Sequence, residues 1–182
     1  MRRARQLLAP VLLACLLALG LVGCHQALSL TATDLTANVK PASEASVEMA
    51  DATVTYDFAL DLLRESTAEA PSENTLVSPL SVLYALAMAE NGADGETLTQ
   101  MEHATGMSVE ELTDTLQAYL QLSSSYDGPL SLANSVWMRD SDGLSVEDAF
   151  LEACGGKLGA QVFSAPFDDS TVADVNAWIS EK

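Results

Sequence analysis

The sequence is short of the residues from which most catalytic and nucleic-acid sites are built. Its 182 residues include two histidines, and eight basic residues stand against 26 acidic ones, a net charge of −18. His25 follows the N-terminal apolar segment and His103 falls at a polar helix end, so no nucleophile, base and orienting acid form a recognisable set. The sequence also lacks a Cys/His cluster at metal-ligand spacing, a phosphate-binding glycine loop and a basic patch interleaved with aromatics. We therefore expect no catalytic residue, metal, cofactor or nucleic-acid partner.

Cysteine is scarce as well, which argues against a disulfide framework. Of the three cysteines, Cys15 and Cys24 lie in the N-terminal segment, so Cys154 is left alone in the rest of the chain. Its only basic neighbour in sequence is Lys157. A small buried apolar residue is therefore favoured over a reactive thiol.

Residues 1–24 have the pattern of an export signal. Three arginines precede an apolar stretch from Leu7 to Leu19, which is too short and wrongly flanked for a membrane-spanning helix. The last four residues, Leu-Val-Gly-Cys24, resemble a bacterial lipobox, in which the cysteine is lipidated and becomes the mature N-terminus. The alternative is an ordinary secretory signal with a cysteine at its cleavage site. The lipobox predicts an extracytoplasmic protein that Cys24 anchors to a membrane.

Residues 25–50 are rich in Ala, Ser and Thr and carry few large apolar side chains. This composition predicts a flexible linker between the lipid anchor and a folded domain at residues 51–182. Removal of the signal takes away three arginines and no acidic residue, which leaves five basic residues against 26 acidic ones. We interpret this charge as a solubilising surface that repels nucleic acid and anionic lipid.

Capping motifs and hydrophobic periodicity predict helices and strands in the domain. The predicted helices are 51–65, a helix from Pro79 that Asn91-Gly92 ends in a left-handed turn, a short helix after Asp94-Gly95, and helices capped by Ser108–Glu111, Ser145–Asp148 and Thr171–Asp174. Period-two alternation predicts a strand over Leu130–Met138, with Asn134 on its buried face.

The run from Asn74 to Met101 is the most informative segment. Ser78 is a strong N-cap, and Pro79 suits the first helical position because its missing N–H costs nothing there. The residues that follow are apolar around the whole helix, which predicts burial on all sides. Leu76 and Val77 predict a short buried strand before it.

The order of residues in this run is similar to the serpin family, at the sixth strand of sheet B and helices B and C. The matching positions are Asn74, Ser78-Pro79, Ser81, Ala85-Leu86-Ala87, Gly92-Ala93, Gly95, Thr97 and Gln100. Leu130–Met138, with Asn134 and Trp137, resembles the second strand of sheet A. Val162-Phe163 and Val175–Ile179 resemble its first strand and helix F, so the resemblance covers roughly residues 51–182.

The resemblance implies an α+β serpin fold, represented by its N-terminal part, helices A to F with the first strands of sheets A and B. It also implies a protease inhibitor whose cleaved reactive loop inserts into sheet A, with a serine or cysteine protease as target. Ser78, Ser81 and Asn134 match the polar cluster that governs opening of the sheet, called the shutter. From the residues alone, ordinary hydrogen-bonded polar groups explain these three equally well.

The chain departs from the family pattern in three places. It stops at Lys182 inside the segment resembling helix F, so the reactive loop is absent from this chain and we expect a fragment or a truncated reading frame. Leu158 stands where the family often has Tyr, which we interpret as tolerated variation. The helix after Ser108 lacks the Lys and Arg cluster with which some serpins bind heparin, so heparin is not an expected partner.

Two other functions remain open. One is a non-inhibitory serpin-fold surface protein that binds a host or cell-wall partner. The other is a surface hydrolase with Ser78 as nucleophile, although the residues around Ser78 lack the small-residue elbow that exposes a hydrolase serine.

Overall fold

The computed structural model describes residues 30–43, 52–69, 71–125 and 131–182. In chain order the elements are strand β1 (Thr33–Asp34), helices α1 (Ala52–Glu69), α2 (Pro79–Glu90), α3 (Gly95–Thr105) and α4 (Val109–Ser125), strand β2 (Asn134–Arg139), helix α5 (Asp148–Leu151) continued by a π-helix (Glu152–Lys157), strand β3 (Ala160–Ala165) and helix α6 (Asp169–Glu181). The predicted signal peptide and Cys24 lie outside the described residues.

Three helices begin where the sequence predicts, because a side chain satisfies N–H groups that the first turn leaves unpaired. Ser78 caps α2, with Pro79 at the first helical position. Asp94 caps α3 by accepting from the N–H of Gly95 at 2.7 Å. The capping box before α4 is confirmed, since the N–H of Ser108 donates to Glu111 at 3.1 Å and the N–H of Glu111 donates to Ser108 Oγ at 3.3 Å.

Other predicted helix ends are wrong. The N-cap of α6 is Asp168, which accepts from the N–H of Ser170 at 2.9 Å, so Thr171–Asp174 lies inside the helix. The N-cap of α5 is Glu147, which makes no side-chain cap bond.

Asn91 ends α2 in right-handed conformation (φ −65°) and not in the predicted left-handed turn. Its amide donates to the carbonyl of Ala87 at 2.8 Å and to Thr113 Oγ1 at 2.9 Å. The side chain thus satisfies a helix-end carbonyl that a left-handed residue would otherwise satisfy.

The three strands form one sheet in the order β1-β3-β2. β2 and β3 are parallel, with Asn134 opposite Ala160 and Arg139 opposite Ala165. Parallel neighbours need a long crossover, and α5 with its π-helical continuation supplies it. β2 starts at Asn134, so the observed strand is shorter at its N-terminal end than the predicted strand Leu130–Met138.

The prediction of a flexible linker is wrong for residues 30–43, which we call the N-terminal arm. β1 pairs antiparallel with β3, with Thr33 opposite Ser164 and Asp34 opposite Phe163. Beyond β1 the arm continues along the π-helix, where the N–H of Ala42 donates to the carbonyl of Gly156 at 2.8 Å. Without the arm, backbone N–H and C=O groups on this edge of β3 would be unpaired. Hydrogen bonding to them orders residues 33–34 although the composition of the arm is polar. The rest of residues 25–50 lies outside the described residues.

Two glycines allow the arm to approach the π-helix. A Cβ atom on Gly155 would lie 3.0 Å from Thr36 Cγ2, and one on Gly156 would lie 3.2 Å from the carbonyl oxygen of Lys40. Both distances are shorter than ordinary van der Waals contacts of a Cβ atom. The arm can therefore pack against the π-helix because residues 155 and 156 are glycines without side chains.

The core lies where α2, α4 and the π-helix meet the buried face of β3. Leu112 and Leu116 are fully buried, and each contributes about 1.5–3 kcal/mol through burial. The Tyr84 hydroxyl donates to the carbonyl of Leu116 at 2.8 Å, and burial raises the pKa of Tyr84 to about 12. The cluster comprises Leu83, Tyr84, Ala87, Met88, Met107, Leu112, Leu116, Cys154, Leu158, Ala160 and Val162.

The prediction that α2 is buried on all sides is wrong for this chain. Ser81, Ala85 and Ala89 are exposed along one side of the helix, while Tyr84 and Ala87 are buried on the other. Leu76 is 98% exposed and has no strand conformation. A strand requires a neighbour that pairs with it, and no described strand pairs with Leu76–Val77.

We expect Gly159→Ala to destabilise the protein by about 2 kcal/mol. Gly159 has φ +63°, which alone costs a non-glycine residue about 1 kcal/mol, and its new Cβ would lie 2.7 Å from Leu120 Cδ2, which forces Leu120 off its rotamer. Gly143→Ala is the control, because Gly143 has φ +89° and open space around it. Urea unfolding measures both variants. Equal losses would mean that Leu120 does not confine this position.

Candidate functional site

The outer edge of β2 is the first candidate site. Because β3 lies between β1 and β2, no described strand pairs with that edge. Unpaired backbone N–H and C=O groups along an edge strand are a template on which another strand can pair. Addition of a strand at such an edge is a known mode of recognition, in which main-chain hydrogen bonds supply affinity.

Aromatic packing fixes β2 against β3 near the middle of this pair. The rings of Trp137 and Phe163 stack with centroids 4.3 Å apart, and Trp137 Nε1 donates to Ser135 Oγ at 3.0 Å. Phe163 is 1% exposed. The pair therefore holds the edge strand in register while the edge itself stays free of described neighbours.

The predicted shutter residues fall in two separate places. Ser78 Oγ and Ser81 Oγ lie 2.8 Å apart at the exposed start of α2, so these two hydroxyls do interact. Asn134 begins β2 and is half-buried. Among the described residues no hydrogen bond joins Asn134 to the serine pair. The cap role of Ser78 is thus observed, and its shutter role stays a prediction.

Asp174 holds the start of the N-terminal arm against α6. Its carboxylate accepts from the N–H of Thr31 at 3.0 Å, from the Thr31 hydroxyl at 2.6 Å and from the N–H of Ala32 at 2.8 Å. Asp174 itself is 5% exposed. Hydrogen bonds to an ionised acceptor are about twice as strong as those between neutral groups, so this contact is a strong polar attachment of the arm.

The environment of Asp174 favours its charged form. Burial desolvates the carboxylate and by itself raises its pKa, but the Thr31 hydroxyl and the N–H groups of Ala32 and Thr31 outweigh this effect. The pKa of Asp174 is therefore held below the usual range of an aspartate.

Two further titratable groups are buried. Burial raises the pKa of Glu90, the Thr105 hydroxyl at 3.2 Å partly offsets this, and Glu102 raises it again. Glu90 Oε2 has no hydrogen-bond partner in the structure. Burial also raises the pKa of Cys154 to about 11, which agrees with an inert apolar role.

Two site types find no support in the part of the chain that the structure describes. No group of three or more His, Cys, Asp or Glu side chains lies close enough to hold a metal ion. No helix among those ranges combines the length and the apolar character needed to cross a membrane.

Sequence reasoning missed the partner of Asp174. A capping motif, Thr171–Asp174, was a plausible local explanation for this residue, whereas its real partners, Thr31 and Ala32, lie near the other end of the chain. The pairing of Asp34 with Gln161 Nε2 at 3.0 Å was missed for the same reason. No local signal in the sequence could have indicated either contact.

We expect Asp174→Asn to release the start of the arm. The variant loses the charge that three donors share, so amide hydrogen exchange at Thr31 and Ala32 should become about 10–100-fold faster. Asp169→Asn on the same helix is the control, because Asp169 is exposed and makes no hydrogen bond to the arm among the described residues. Unchanged exchange in Asp174→Asn would show that strand pairing alone holds the arm.

The same contact should depend on pH. Because the folded-state pKa of Asp174 lies below its unfolded value, its stabilisation is complete above about pH 4 and is lost as the pH falls through the folded-state value. The amide proton shifts of Thr31 and Ala32 should therefore titrate together at acidic pH, and neither should titrate in Asp174→Asn.

Comparisons with known proteins agree on one family. A family model described as Serpin (serine protease inhibitor) matches residues 53–182. The chain is 32% identical over 137 residues to alpha-1-antichymotrypsin of Pongo abelii, a match covering 70% of the chain and 31% of that protein.

Two solved structures share the fold. Native tengpin, a thermophilic serpin, has a TM-score of 0.69 at 35% identity, covering 83% of this chain and 40% of tengpin. A serpin from a loop C-sheet polymer has a TM-score of 0.63 at 37% identity, covering 77% of this chain and 38% of that one.

These relatives are longer than this chain, which spans about a third of the length of the antichymotrypsins it matches. The matched region runs from the beginning of α1 to Lys182, and so includes both strands of the parallel pair. The resemblance seen in the sequence is thereby confirmed, and the chain belongs to the serpin family, of whose fold it carries an N-terminal part.

Proposed function

We propose that this chain is the N-terminal part of a longer serpin that inhibits a serine or cysteine protease by inserting its cleaved reactive loop into a sheet. The observation that carries the proposal is the parallel pair β2–β3, at whose outer edge no described strand pairs, within a chain that matches the serpin family over residues 53–182. Serpins are generally inhibitors and not enzymes, and the relatives include antichymotrypsins. The reactive loop belongs to sequence outside this chain.

In this mechanism the chain supplies the support beneath a sheet that must open. Trp137 and Phe163 stack across β2 and β3, so this side of the sheet moves as one unit while strands on the free side separate. Ser78, Ser81 and Asn134 are the proposed shutter. The exposed serine pair and the half-buried amide would exchange hydrogen bonds with strands that cover them in the longer protein.

We also propose that Cys24 is lipidated and anchors the protein outside the cell. The support is the lipobox-like run that ends at Cys24, after an apolar segment of signal-peptide length. The acidic surface fits a protein that is attached through lipid and does not adsorb to anionic headgroups through basic residues.

The inhibitory proposal predicts covalent trapping. The longer protein, incubated with chymotrypsin-like serine proteases, should give an SDS-resistant complex, because the ester between the protease serine and the cleaved loop survives denaturation. A protease whose active-site serine is already blocked is the control and should give none. Absence of a complex with a broad panel of serine and cysteine proteases would favour a non-inhibitory serpin-fold binding protein instead.

Two variants in the same assay test whether Asn134 has a shutter role or is an ordinary hydrogen-bonded polar residue. Asn134→Ala should increase the moles of inhibitor consumed per mole of trapped protease, because a slower opening of the sheet lets more loop be cleaved without trapping. Ser131→Ala is the control, since Ser131 is exposed and precedes β2. Equal stoichiometry in both variants would contradict a shutter role for Asn134.

The lipid anchor predicts that one cysteine carries the acyl chains. The exported protein should incorporate labelled palmitate and Cys24→Ala should not, because Cys24 is the residue to which the chains would be attached. Cys15→Ala is the matched control and should still be labelled, since Cys15 lies within the apolar stretch of the signal. Labelling of Cys24→Ala equal to that of the parent protein would contradict the anchor.

A further inference from the structure

The docked arm shortens the connection between Cys24 and the folded body. A free linker over residues 25–50 would span about 90 Å when fully extended. The described arm, however, is attached to the body from Thr31 onwards. Only the six Cα-to-Cα steps from Cys24 to Leu30 remain before that attachment, and they reach at most about 20 Å.

The arm begins at one end of the sheet. Because β1 is antiparallel to β3 and Thr33 lies opposite Ser164, the residues before Thr33 extend past the C-terminal end of β3. β2 ends at the same level, since Arg139 lies opposite Ala165 and the N–H of Asp140 donates to the carbonyl of Ala165 at 2.7 Å. We call this end, formed by residues 30–32, 139–144 and 166–169, the strand-end face.

Helix α6 runs from the strand-end face towards the opposite end of β3. It starts at Asp169 on the strand-end face and runs back along β3, because Trp178 Nε1 donates to the side chain of Gln161 at 2.7 Å near the beginning of that strand. Asp169 and Glu181 are therefore about 18 Å apart along the axis of α6. Both are exposed acidic residues.

The chemistry of the strand-end face permits approach to a neutral bilayer surface but not insertion into it. Two of its large apolar side chains are exposed, Phe167 by 44% and Leu144 by 52%, and the guanidinium of Arg139 lies 5.3 Å from the Phe167 ring centroid. Exposed acidic side chains surround them, namely Asp140, Asp142, Asp168 and Asp169. Such a face can approach headgroups but is too acidic to enter the hydrocarbon layer.

We propose that the strand-end face is the membrane-proximal face of the anchored protein, held within about 20 Å of the bilayer by the arm. The inference rests on the lipid anchor proposed for Cys24. The short connection then keeps the strand-end face towards the bilayer, and the N-terminal ends of β2 and β3 point away from the membrane.

Energy transfer from a dye on the body to labelled lipids tests this orientation. The lipidated full-length protein is placed in phosphatidylcholine vesicles with a small fraction of headgroup-labelled acceptor lipid, and a donor dye is attached to Asp169→Cys or to Glu181→Cys. Cys154 is fully buried and should not react with the dye. The transfer rate from position 169 should exceed that from position 181 by at least about threefold, because position 169 lies on the strand-end face and position 181 lies up to about 18 Å farther from the bilayer.

A longer tether should abolish the difference between the labels. Insertion of 20 Gly and Ser residues after Gln26 alters no described residue and adds a flexible reach of about 25 Å. In this background the two dyes should give transfer rates within a factor of about 1.5 of each other, since the body then reorients freely.

The outcomes separate the orientation from the anchor. Protein that floats with the vesicles but transfers equally from both positions, without the insertion, overturns the proposed face and leaves the lipid anchor intact. Protein that does not float with the vesicles overturns the anchor and the orientation together. Neither result bears on protease inhibition, which the SDS-resistant complex measures independently.

Discussion

Pairing on both edges of β3 is the constraint on which the rest of this structure depends. β3 is short, yet it pairs with β2 on one side and with β1 on the other, and Val162 and Phe163 at its centre are almost completely buried. The parallel pairing requires the crossover that places Cys154 and Leu158 in the core. The antiparallel pairing gives the N-terminal arm its place. A strand satisfied on both edges tolerates neither a register slip nor a polar substitution on its buried face.

The sequence predicts what is decided locally and fails where a distant partner decides. Ser78-Pro79 and the Ser108–Glu111 box are recognisable because a capping residue and its N–H partner lie within one helical turn. The polar, alanine-rich composition of the arm predicts a linker, because composition does not show that the edge of a distant strand, β3, is available for pairing. At Leu76–Val77 the error is the reverse, because the sequence predicts a strand that is not observed. Strand-forming side chains do not make a strand without a neighbouring strand. Nor does any pattern around Glu90 indicate that this carboxylate is buried beside Thr105.

The shortage of basic residues has a structural counterpart in how the carboxylates are satisfied. Only two ion pairs occur among the described residues, Arg64 with Asp61 and Lys157 with Asp114. Several other acids accept from backbone N–H groups instead: Asp34, Asp94, Glu102, Glu111, Asp168 and Asp174. Such bonds order the backbone at helix starts and at the arm and need no counter-charge. An acidic chain can thus keep a strongly negative surface and still use its carboxylates structurally.

The glycine pair in the π-helix lies against a segment that is far away along the chain. Thr36 and Lys40 occupy space that side chains on Gly155 and Gly156 would fill, so the arm and the crossover constrain one another. A relative without an arm is released from that constraint and is free to carry larger residues at both positions. An arm docked in this way therefore requires small residues at both positions of the crossover.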